Sequence, residues 1–252
     1  MLNKPSDLVL ENGLLGDMFD IQDGRFPLHS FDQYSEALIK LGLMVNTIST
    51  QLLVDRIYTV TQLNKSNYKK ALDRSLAIMK YLNEGIENQN DLGVHIRNIP
   101  FLPIMSKPAE WHPELPWQGS GDGNDTRFMC PSEIFSPYEK ELIGSVRPVL
   151  DSIKSDERVL RLIGIPEVDI ENVVDQLEVI GKIEFQSTEG LEDICDRLYT
   201  TLNTCLEPKE AGRYCLVSQL EKLKLHRIVL SNSELIQPFK VALNIDGDHG
   251  RS

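Results

Sequence analysis

The stretch from residue 100 to residue 150 constrains the fold most. It carries eight of the thirteen prolines and both tryptophans, Trp111 and Trp117. Proline fixes φ and lacks a backbone N–H, so this density excludes a continuous helix or a central strand. Two tryptophans in so irregular a segment predict an anchored loop, because each ring offers a large apolar area. Two uses of the pair are open: packing the loop on the chain's own core, or gripping a peptide in a groove.

Helical patterns dominate on either side. Residues 1–30 read as a turn-rich segment punctuated by Pro5, Gly13, Gly16, Gly24 and Pro27. Ser30 or Asp32 then caps a helix whose apolar residues stop at Gly42, and Ser49 or Thr50 caps the next. Ser66 opens a longer helix with Tyr68, Leu72, Leu76, Met79 and Leu82 on one face and Lys69, Lys70, Asp73 and Arg74 largely off it. These three helices predict a small bundle. From Gly93 the period changes. Val94, Ile96 and Ile99 alternate, Phe101–Met105 reads as a strand, and Arg127–Cys130 and Ile143–Val149 are further short strand candidates.

Helical spacing returns after Ser155 or Asp156, again over Asp169–Gly181, then over Glu189–Leu206 behind Thr188, and from Pro208 to about Leu223. The tail from His226 to Leu243 predicts two short strands, a hairpin joining the central sheet. The fold class is therefore α+β and predominantly helical, with helical bundles flanking a small antiparallel sheet. We divide it into an N-terminal helical part (1–92), a Pro/Trp-rich part with short strands (93–150) and a C-terminal helical part ending in a hairpin (151–252), together one compact unit.

Charge and composition exclude several functions. A net charge of −12 opposes nucleic-acid binding, which needs clustered Lys and Arg, and opposes docking on anionic membranes. No apolar run has transmembrane length and no secretory leader is visible, so membrane insertion is not expected. Cys130, Cys195, Cys205 and Cys215 show no metal-ligand spacing and read as reduced thiols of a cytoplasmic protein, Cys195 and Cys205 in apolar helical pattern.

Two short motifs suggest chemistry and fail on context. Glu84-Gly-Ile-Glu-Asn88 with Asp91 matches an ATPase magnesium box, but the glycine turn it needs, Asp246-Gly-Asp-His-Gly250, has no sheet or helix after it. His112-Pro113-Glu114 matches a J-domain tripeptide in the wrong surroundings, a Pro/Trp loop in an acidic chain, and reads as a turn. No catalytic residue, cofactor or metal ligand is assigned. The candidate protein-binding residues are Trp111, His112, Trp117 and Arg147, the last either a surface residue or a buried anchor for a carboxylate.

The order of several phrases carries a resemblance. Phe101-Leu-Pro-Ile-Met-Ser-Lys-Pro108, Leu115-Pro-Trp117, Ser132-Glu-Ile-Phe135 and Ile143-Gly-Ser-Val-Arg-Pro-Val-Leu150 resemble the repeats of the sacsin family of giant modular co-chaperones. Arg25-Phe-Pro27, Leu41-Gly-Leu43 and Leu162-Ile-Gly-Ile165 extend it over about residues 25–243. The resemblance implies an internal, non-catalytic portion of a repeat, downstream of its ATPase-like module. The implied partners are proteins: chaperone machinery, neighbouring modules of the same chain and intermediate filament proteins. The implied setting is proteostasis in the cytoplasm, with ties to mitochondria. The rival expectation is a middle or regulatory domain that completes a nucleotide-binding ATPase site in the full-length protein, with Arg127 or Arg147 reaching a neighbouring module.

Overall fold

A computed structural model describes residues 3–85, 91–119, 128–151, 156–206, 229–231 and 234–236. The chain divides into two compact units. The first comprises Met1–Ser106, Asp122–Pro137 and Leu150–Pro166, and the second Lys107–Gly121, Tyr138–Val149 and Glu167–Ser252. The Pro/Trp-rich stretch is thus shared between them. The architecture is α+β and predominantly helical.

Helix α1 covers Ser35–Lys40, α2 Thr50–Asn64 and α3 Tyr68–Gly85. Ser49 caps α2, its side chain accepting the Leu52 N–H, and the Asn67 side chain accepts the Lys70 N–H at the start of α3. Helices α2 and α3 form a hairpin, which α4 (Leu92–Ile96) and α6 (Glu157–Ile163) complete. The expected three-helix bundle is corrected in one respect. With six residues, α1 is too short to present an apolar stripe and buries none of its residues. The alternation expected from Val94 onward is also corrected, since α4 buries Leu92 and Ile96 by helical spacing. Gly93 permits this close packing: a Cβ there would lie 2.3 Å from the Leu162 carbonyl oxygen.

Strands β1 (Leu102–Pro103) and β2 (Phe128–Met129) pair antiparallel, Leu102 opposite Met129. Leu150 adds a bridge to Ile104. The sheet is held to the hairpin by side chains that accept no compromise in register: Ser75 donates to the Phe101 carbonyl at 2.6 Å and Thr61 to that of Pro100 at 3.1 Å.

In the second unit, α5 spans Lys140–Ile143, α7 Ile170–Lys182 and α8 Leu191–Leu206. Asp169 caps α7 reciprocally with Asn172, and Val173, Leu177 and Ile180 are fully buried. Strands β3 (Val229–Ser231) and β4 (Glu234–Ile236) form the expected hairpin, but as a separate two-stranded sheet rather than an extension of β1–β2. The strand expected over Ile143–Val149 is instead the end of α5 and a turn. The Gly144 and Arg147 N–H groups donate back to Lys140 and Ile143, and Pro148 offers no donor to a ladder. The helix expected from Pro208 lies outside the described residues.

The turn-rich residues before α2 belong to the core of the first unit. Val9, Leu15 and Met18 are fully buried, and Val9 bridges Met44 in parallel. Their attachment is ionic as well as apolar. Arg74, assigned to the polar side of α3, is only 4% exposed. It donates to Thr59 of α2 at 2.7 Å and to the Asp20 carboxylate, which also pairs with Lys70 at 2.9 Å. Asp23 pairs with Arg56 at 2.9 Å, and Arg56 lies over the Phe19 ring, 5.0 Å from its centroid. Helix α3 packs on α2 along one side and on residues 16–18 and β1 along others, so its buried sector is wider than one apolar stripe. Leu76, expected on that stripe, is exposed.

Partial burial by itself pushes the Asp23 carboxyl up. The Asp20 N–H, the Arg56 guanidinium and the charge of Arg74 outweigh it and hold the group below its ordinary 3.8. A depressed folded pKa means that the carboxylate's contribution is complete above the unfolded value and lost as pH falls through the folded one. Stability followed by urea titration between about pH 5 and pH 2 should fall more steeply for the parent chain than for Asp23→Asn. Identical slopes would show that the carboxylate contributes nothing.

Candidate functional site

The Pro/Trp loop of the second unit closes around one glycine. A Cβ at Gly144 would lie 2.6 Å from Cζ3 of Trp117 and 3.0 Å from Cη2 of Trp111. The two indoles meet edge to face, centroids 5.1 Å apart at 67°. Trp111 is 4% exposed and its Nε1–H has no hydrogen-bond partner among the described residues, whereas Trp117 is half-buried. Gln118 donates its backbone N–H to the Gly144 carbonyl at 3.0 Å and its amide to the Ser145 carbonyl at 3.1 Å. From α7, fully buried Gln176 accepts the Ser145 N–H at 3.0 Å and donates to the Ser145 hydroxyl at 3.1 Å. Both ends of the amide are used, so its burial costs little.

His112 lies in the same interior. Its Nδ1 accepts the Glu114 N–H at 3.2 Å and its Nε2 lies 3.0 Å from the Ser187 carbonyl. A carbonyl only accepts, so the ring is the neutral tautomer with its proton on Nε2. Phe185 stands perpendicular to it at 5.0 Å, and the Glu114 carboxylate accepts the Gln186 N–H. His112-Pro113-Glu114 therefore forms a turn that ties the loop to the segment between α7 and α8, with the Leu115 N–H donating to the His112 carbonyl. Arg147 is exposed. It donates to its own neighbour's carbonyl on Val146 and stands 4.0 Å from Asp175. The structure thus brings Trp111, His112 and Trp117 together and leaves Arg147 at the surface.

The surrounding ion pairs brace α5. Arg197 of α8 reaches Glu141 at 3.0 Å and Glu139 at 3.5 Å, and Lys140 pairs with Glu110. Burial pushes the Cys195 thiol up to about 11; burial and the neighbouring Glu133 do the same for Cys130. Both are therefore protonated and weakly nucleophilic near neutrality. Among the described residues no group of three or more His, Cys, Asp or Glu is placed to hold a metal ion. No described helix is long and apolar enough to cross a membrane. In the ATPase-like box, Glu84 lies in the last turn of α3, while Asn88 and the Asp246–Gly250 turn lie outside the described residues, as do Arg127, Cys215 and the side chain of Cys205.

Sequence reasoning found the tryptophans and missed the groups that lock them. Gln176 carried a readable signal, because it falls on the apolar face of α7 between Val173 and Ile180. Gly144 carried none beyond being a glycine, since the two indoles beside it arrive from residues 27 and 33 positions away.

Human sacsin and this chain are 25% identical over 263 residues, covering 96% of this chain. The chain is similar to a segment of sacsin. It spans 6% of the length of sacsin, so what the whole of that protein does is not thereby established for the segment. No family model matches the chain, and no solved structure matches it. The sacsin similarity runs through both units, including the Pro/Trp loop around Gly144.

Adding one methyl at Gly144 tests this packing. Gly144→Ala should destabilise the second unit by about 1–3 kcal/mol through overpacking, and should shift tryptophan emission as the indoles separate. A melting temperature within about 1 °C of the parent with unchanged emission would contradict the geometry.

Proposed function

We propose that this chain is a non-catalytic scaffold module of a sacsin-like co-chaperone. It couples neighbouring modules in protein quality control and in the upkeep of intermediate filaments, in the cytoplasm and in association with mitochondria. The observation that carries this reading is the similarity to sacsin along 96% of the chain. The polar groups around the tryptophan loop support it. The buried side chains of Gln176 and His112 are engaged in closing the loop on its own unit, which is the work of a rigid spacer. Its partners on this reading are proteins: chaperone machinery, adjoining modules and filament subunits.

A second reading is a regulatory domain that completes a nucleotide site supplied elsewhere in a longer chain. Arg147, exposed on the turn after α5, is the observation that favours it, since a surface guanidinium can reach phosphate on a neighbour. Calorimetric titration with ATP and magnesium, run beside a hydrolysis assay and co-sedimentation with assembled intermediate filaments, separates the two. The scaffold reading expects no saturable heat and no turnover, with the chain pelleting alongside filaments. Saturable nucleotide binding, or filaments that leave the chain in the supernatant, would overturn it.

A further inference from the structure

The turn that leads into the core of the first unit contains Asn12-Gly13, the one Asn-Gly pair in the chain. Asn12 is exposed, and no hydrogen bond among the described residues engages its carboxamide or the Gly13 N–H. Both groups are free to react with each other. The Gly13 nitrogen can close a five-membered ring on the Asn12 side-chain carbon, and glycine has no Cβ to hinder that approach. Asn46 is the contrast. It is also exposed, but β-branched Thr47 follows it and crowds the nitrogen that would attack.

Packing does not require a glycine at position 13. A Cβ there would meet nothing nearer than 3.5 Å, and its φ lies outside the left-handed region. The points on either side of the pair are fixed. Val9 and Leu10 donate their N–H groups to the Arg25 and Met44 carbonyls at 2.8 and 2.9 Å, and Gly16 donates back to the Gly13 carbonyl at 3.0 Å. Leu15 is fully buried, and a Cβ at Gly16 would lie 1.8 Å from the Glu11 carbonyl oxygen. A main chain lengthened between Glu11 and Gly16 cannot keep all of these contacts.

We propose that Asn12-Gly13 is a site of spontaneous isoaspartate formation, which loosens residues 9–18 from the core of the first unit. Hydroxide takes the Gly13 amide proton, and the nitrogen bonds to Asn12 Cγ. The Cγ–Nδ2 bond breaks, and the side-chain nitrogen leaves as ammonia with a proton from water. Water then opens the succinimide. Attack at Cγ gives aspartate; attack at the backbone carbonyl carbon gives isoaspartate, whose main chain runs through Cβ and is one carbon longer. Both products add a negative charge, and only isoaspartate adds length. The change is irreversible without repair, so it marks the age of the chain.

The full chain is aged near neutral pH at body temperature and sampled by mass spectrometry, with electron-transfer fragmentation to tell isoaspartate from aspartate. A free peptide of residues 8–17 is aged beside it as the rate reference. Asn12 in the full chain is expected to convert within about tenfold of the peptide's rate, and at least about tenfold more slowly in Gly13→Ala. Asn46 should stay intact over the same period. The urea midpoint should fall as the isoaspartate content rises, whereas Asn12→Asp, which adds the charge without the length, keeps the parent midpoint. Conversion of the peptide but not of the chain, an undiminished rate in Gly13→Ala, equal conversion at Asn46, or an aged chain with the parent midpoint would overturn the proposal.

Discussion

Arg74 is the residue on which the first unit depends. Its guanidinium reaches α2 through Thr59 and the turn-rich N-terminal residues through Asp20, while its own backbone belongs to α3. A buried charge is not a source of stability in itself, because desolvation offsets most of the Coulombic gain. It supplies position. The Asp20 and Asp23 carboxylates must meet Arg74 and Arg56 at one register of residues 15–23 on α2 and α3, and Leu15, Met18 and Phe19 are buried in that register. Gly16 allows the chain to fold tightly enough to do this, since a Cβ there would lie 1.8 Å from the Glu11 carbonyl oxygen.

The second unit applies the same logic with uncharged groups. Gln176 and Gln118 hold the backbone at Gly144 and Ser145 from two sides, and the missing Cβ lets both indoles approach. In each unit a glycine admits a close contact and directional polar side chains choose its geometry. Apolar burial supplies most of the free energy of such a fold, and directional bonds select one arrangement of it.

Local signals were the legible ones. Ser49 and Asp156 cap helices where their spacing predicts, and Gly42 and Gly164 end them with positive φ. Period-based reasoning located α7 to within a residue at each end, because a single face of that helix is buried. It misassigned α3 in part. A helix packed on several sides buries Arg74 and Ser75 and exposes Leu76, and no one-face pattern encodes that. The Ile143–Val149 strand failed because the Gly144, Val146 and Arg147 N–H groups turn back to carbonyls of α5, and Pro148 has none to offer a ladder. The partners of Asp20 and Asp23, 33 to 54 residues away, were equally invisible.

The chain is similar to part of a much larger protein, human sacsin, and each of its two units has its own buried core and its own directional bonds. The claim that Arg74 and Asp20 position the N-terminal residues is tested most directly by a double-mutant cycle with Asp20→Asn and Arg74→Met, read as unfolding free energy. Coupling of about 1 kcal/mol or more is predicted, with the Asp20→Asn single variant losing about 1–3 kcal/mol because it leaves a buried guanidinium short of its carboxylate. Additive effects, within about 0.5 kcal/mol, would show that the two groups are neighbours without being the link that sets the register.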